Sequence, residues 1–107
     1  MWLFTTQGFY SVVAHRDDPG TLIVRARTAG DIVSLREQIP EIEPFEDASA
    51  DYRHRALVSR AEWLAAVAQL TAEIDYDNFK SEVARQQGRD RARAYGRVWG
   101  EMLGLQR

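Results

Sequence analysis

Cysteine is absent from the 107 residues, which excludes disulfides, thiol nucleophiles, thiolate zinc sites and iron–sulfur clusters together. No apolar run approaches the roughly 20 residues that a membrane-spanning helix needs. The apolar opening, Met1 to Val13, has no basic leader, is broken by Thr5, Thr6, Gln7 and Gly8, and is followed by charge rather than small residues. It reads as strand and not as a signal peptide, and a cytoplasmic location without membrane contact is expected. G-x-x-x-x-G-K-[ST], G-x-G-x-x-G and G-x-S-x-G are missing too, so nucleotide and acyl-transfer chemistry lack their usual supports. No cofactor is implied, and a binding protein is expected ahead of an enzyme.

What is present is ordinary globular composition, 45% hydrophobic and 28% charged, in a length that one domain fills without a metal or disulfide staple. A single domain over residues 1–107 is expected. Charge is distributed unevenly: residues 1–79 hold 7 basic and 13 acidic side chains, whereas residues 80–107 hold 7 basic and 3 acidic. Such asymmetry marks either a surface for an acidic or nucleic-acid partner or a helix paired to its own body.

Periodicity predicts the elements. Met1 to Ala14, rich in aromatic and β-branched residues, reads as a long strand buried on both faces, with Gly8 at a bulge. Arg16-Asp17-Asp18-Pro19-Gly20 is turn chemistry, and Thr21 to Arg27 then alternates, with Leu22, Val24 and Ala26 on one face and Ile23, Arg25 and Arg27 on the other. Thr28 with Asp31 opens a short helix that Pro40 ends. Glu41 to Asp51 reads as an acidic surface loop and Tyr52 to Val58 as a third strand. Ser59-Arg60-Ala61-Glu62 is a capping box, followed by the stripe Trp63, Val67, Leu70 and Ile74. Beyond it, Asp77 or Asn78 is an N-cap candidate, and helical spacing runs through Phe79 and Val83 and, past Gly88, through Ala92, Tyr95, Trp99, Met102 and Leu103. These elements predict an α+β fold in the order ββαβαα, a three-stranded antiparallel sheet with strand order 2-1-3 and two or three helices.

The opening Met1 to Val13, the Val24-Arg25-Ala26-Arg27 strand and the Asp75-Tyr76-Asp77-Asn78-Phe79-Lys80 junction resemble a group of short, stand-alone, uncharacterised bacterial proteins. The resemblance spans most of the chain and implies a bacterial or mobile-element protein made of this one domain, with no functional residues to carry over.

Three groups of residues are candidates for function. If strands one and three are neighbours, His15 lies beside Asp51 and His54 at one sheet edge, a set that suits a divalent metal and hydrolysis. No H-x-x-x-H spacing forces these ligands together, and turn aspartates have backbone roles of their own. Lys80, Arg85, Arg89, Arg91, Arg93 and Arg97, interleaved with Tyr95 and Trp99, suit nucleic acid, with Arg85, Arg89, Arg93 and Arg97 as the contacts, or else form the solvated face of a helix whose aromatics enter the core. The third group serves a protein partner or a homodimer, which is the favoured reading: Tyr10, Val12, Ile23 and Leu57 on a sheet face away from the helices, with Tyr76 and Lys80 at the interhelical junction. Strands two and three, as edges, also offer β-augmentation.

Overall fold

The computed structural model describes residues 1–106. The fold is α+β: a five-stranded antiparallel sheet with four helices. The chain divides into two compact units, one of Met1–Leu3 with Gly8–Ile74 and one of Phe4–Gln7 with Asp75–Arg107.

The sheet comprises β1 (Trp2–Phe4), β2 (Phe9–Ala14), β3 (Thr21–Ala26), β4 (Phe45–Glu46) and β5 (His54–Ser59), in the order β1-β2-β3-β5-β4. The expected order 2-1-3 is corrected on two counts. The first strand is not continuous: residues 5–8 turn the chain back, and Met1 and Val12 exchange backbone hydrogen bonds of 2.9 and 2.8 Å. Gly8 therefore closes a hairpin rather than marking a bulge. A Cβ there would lie 2.8 Å from Tyr10 Oη and 2.9 Å from Asp31 Cγ, so no other residue fits without displacement.

The second correction concerns β4, which lies inside the segment expected to be only an acidic loop. One added strand reverses the direction in which the chain arrives at β5. Hence β5 pairs antiparallel with β3, from Thr21 opposite Ser59 to Ala26 opposite His54, and β3 is the central strand. Neither β3 nor β5 is an edge, so the expected β-augmentation at those strands has no free ladder to use. The true edges are β1 and β4, three and two residues long, the short edges that resist adventitious strand pairing.

Three turns and caps follow the sequence closely. Asp18 accepts from Gly20 N and Thr21 Oγ1, 3.0 and 2.7 Å, and fixes the β2–β3 turn. Thr28 caps α1 (Ala29–Ser34), which tightens to a 3-10 turn over Leu35–Glu37. Ser59 and Glu62 form the capping box of α2 (Arg60–Ala72). Trp63 and Ala66 of α2 are buried, and Ile32 and Leu35 reach the same core, which is floored by Tyr10, Val12, Leu22, Val24, Ala56 and Val58. Tyr10 is completely buried, edge-on to Trp63, with its hydroxyl 2.7 Å from Ser34 Oγ.

In the second unit, α3 (Phe79–Gln87) and α4 (Arg89–Leu103) are separated by Gly88, whose φ of 91° is a conformation that glycine accepts readily. Of the two cap candidates Asn78 is the one used by α3: its side chain accepts from Ser81 N at 2.9 Å. Tyr95 is the buried anchor of α4: it stacks on Phe79, meets Phe4 edge-on, and donates to Thr5 O. Trp99, which the amphipathic-helix alternative placed in the core with Tyr95, and Met102 on the same stripe are 61% and 57% exposed. No described helix is long and apolar enough to cross a membrane.

Candidate binding surfaces

Directly opposed residues on neighbouring strands share a face of the sheet. Val12, Val24 and Ala56 form a row on the helix-covered face, and Val13, Ile23 and Leu57 form the adjacent row on the other. This register separates Tyr10 and Val12 from Ile23 and Leu57. Tyr10 and Val12 belong to the core, because even-numbered positions of β2 point toward α2, so they are removed from the expected outer face. Ile23 and Leu57 do lie there, opposite each other, and Val13 joins them; Leu57 is 49% exposed.

Beyond that apolar row, Ser11, Arg25, Arg55 and Phe45 stand side by side. The arginines are held by fixed polar atoms. Arg25 donates to Ser11 Oγ at 2.6 Å, Arg55 to Tyr52 O at 3.0 Å, and Arg27 to Asp51 O at 2.6 Å. The guanidinium groups of Arg25 and Arg27 also lie over the buried Tyr52 ring, 4.7 and 4.0 Å from its centroid. Among the described residues none of these three arginines forms an ion pair, whereas Arg53, just before β5, lies 3.7 Å from Glu46. With Met1 opposite Val12, Trp2 falls opposite Ser11 and packs edge-on to Phe9, leaving Trp2 exposed at one margin as Phe45 is at the other. Ile23 and Leu57 are legible from the alternation of their strands, whereas Val13, in a segment read as buried on both faces, and Trp2 and Phe45 carry no periodic signal.

The second surface is a groove of about 660 Å³ between α3 and α4. Lys80, Arg89, Arg93 and Arg97 line it with Trp99, and Lys80 Nζ stands 5.5 Å from the Trp99 ring centroid. Lys80, a candidate both in the basic segment and at the junction with Tyr76, thus stands with the arginines. Tyr76 instead packs on Phe79, their centroids 6.1 Å apart. Arg85 does not line the groove: it forms an ion pair with Glu82 one turn back, and that pair raises the guanidinium pKa and lowers that of the carboxyl.

The histidine set is not brought together. His15 N bonds to Thr21 O, beside Ser59, while His54 pairs with Ala26 at the far end of β5. Five residues of strand, about 17 Å, separate the two ends. His54 Nδ1 lies 3.7 Å from Glu46, and Asp51 gives its carbonyl to Arg27. Among the described residues no three metal-ligating side chains converge.

No family model, curated protein or solved structure matches the chain.

Proposed function

We propose that the protein is a non-enzymatic docking module whose partner is a protein, with a second copy of the chain as first occupant. The observation that carries this reading is the outer sheet face, where the row Val13, Ile23 and Leu57 is bordered by Arg25, Arg55, Trp2 and Phe45. An apolar centre with arginine and aromatic residues around it is the composition of protein interfaces. The complement for the arginines exists in the chain itself: Glu41 and Glu43 are exposed.

Magnitude sets the class of complex. Four strands, β1, β2, β3 and β5, each at most six residues long, offer about 400 Å² in projection, roughly half the ~800 Å² that each partner of a standard interface buries. The association is therefore weak and transient, with a dissociation constant at micromolar or higher concentration. Sedimentation equilibrium over increasing concentration should show reversible dimer mass. Leu57→Glu should restore the monomer while leaving the melting temperature within a few degrees of wild type. A wild-type chain that remains monomeric throughout overturns self-docking.

A further inference from the structure

We infer that the α3–α4 groove is a binding site for the backbone of single-stranded nucleic acid, with one base stacked on Trp99. The site is independent of the outer sheet face. Two observations on the groove support it.

The first is charge without compensation. Lys80, Arg89, Arg93 and Arg97 line one open groove, and none of them forms an ion pair among the described residues. Arg85, which pairs with Glu82, lies outside it. Arg89, Arg93 and Arg97 recur every fourth residue, so they climb α4 in steps of about 6 Å and span about 12 Å. A line of cations at that interval tracks successive phosphates of an extended strand, whereas a small anion needs only one cluster. Trp99, 61% exposed in the same wall, presents the sequence-tolerant stacking platform that single-strand binders use.

The second is the pair Gly96 and Gly100, which line the groove inside α4. Glycine destabilises a helix interior relative to alanine by about 0.5–1 kcal/mol at each site. No described residue demands it here: a Cβ at Gly100 would meet no described atom within 4 Å, and at Gly96 only the end of Lys80 at 3.8 Å. The space they leave open faces outward. It admits a strand that side chains would exclude.

The test is fluorescence anisotropy of a labelled oligo(dT) with the full chain, titrated from about 50 to about 200 mM salt. Neutralising four phosphates of a single strand gives a slope of log affinity against log salt near −3, or about −0.7 for each contact. The double variant Arg93→Gln with Arg97→Gln should weaken binding at least ten-fold and bring the slope to about −1.4. Trp99→Ala should weaken it about ten-fold with the slope unchanged. Gly100→Leu keeps every charge and should also abolish binding, while Arg85→Gln should leave it unaltered; thermal melts establish that each variant is folded. The inference is overturned by absent binding at the lowest salt, by Arg85→Gln acting like the groove variants, by Gly100→Leu binding normally, or by polyglutamate competing as well as the unlabelled oligonucleotide. The last outcome would assign the groove to an acidic protein segment instead.

Discussion

Arg25 and Arg55 stand directly opposite one another on adjacent antiparallel strands, two like charges held in place by hydroxyl and carbonyl oxygens rather than by carboxylates. Cross-strand like-charge pairs are destabilising by a few tenths to about 1 kcal/mol. The sheet tolerates this pair at its centre, beside the apolar row.

A double-mutant cycle with Arg25→Gln and Arg55→Gln should therefore give an unfavourable coupling of about 0.2–1 kcal/mol between the native arginines. Because the repulsion is electrostatic and partly solvated, it should shrink as salt is added. A favourable coupling measured by denaturant unfolding would show that their shared contact with the Tyr52 region outweighs the charge.

Gly8→Ala should destabilise the sheet unit by about 1–3 kcal/mol, the usual penalty of overpacking. The added carbon would press on Tyr10 Oη and Asp31 Cγ, and Asp31 also accepts from Phe9 N at 3.0 Å. Gly30→Ala in α1, where nothing lies within 4 Å of the new carbon, should instead gain up to about 1 kcal/mol. Chemical denaturation of the two variants reads the contrast directly.

Asn78→Ala should cost about 1 kcal/mol through loss of the α3 cap, whereas Asp77→Ala should change stability by less than about 0.5 kcal/mol. Thermal melts distinguish them. Equal losses would mean that Asp77 substitutes for its neighbour when Asn78 is removed.

Acid should weaken the protein in a defined window. Hydrogen bonds hold three carboxyls below their ordinary values: Asp18 by the Thr21 hydroxyl and then Gly20 N, Asp47 by Ser49, and Glu82 by Arg85 and Gln86. A folded-state value below the unfolded one adds stability that is complete above the unfolded values, about 3.9 for Asp and 4.3 for Glu, and is lost as pH falls through the folded ones. The contribution of these carboxyls to the melting temperature should thus be constant between about pH 7 and 6 and decline below about pH 4. Thr21→Val should raise the Asp18 midpoint, measured by NMR titration, and reduce the acid loss from the hairpin.

Local chemistry was legible in the sequence. The Asp18 turn, the Thr28 cap and the Ser59–Glu62 box each involve residues at most three positions apart, so their hydrogen bonds can be read from spacing alone. The alternation of β3 also held, with Leu22, Val24 and Ala26 buried. What failed was parity. β4 is only Phe45–Glu46, too short for any period-2 signal, yet missing it put β2 beside β5 and drew His15 toward His54. The apolar spacing of Tyr95, Trp99 and Met102 misled for a different reason: helical periodicity identifies a stripe but not how much of it another element covers. On this helix Tyr95 is covered, while Trp99 and Met102 are exposed.

The placement of β3 between β2 and β5 also bears on how the chain reaches its native state. Joining β2 to β3 closes residues 15–20, whereas joining β3 to β5 closes residues 27–53. The longer closure costs about 1.3 kcal/mol more in chain entropy. The hairpin is thus the cheaper nucleus, and β5, arriving with the two-residue β4 beside it, completes the sheet against an edge already formed.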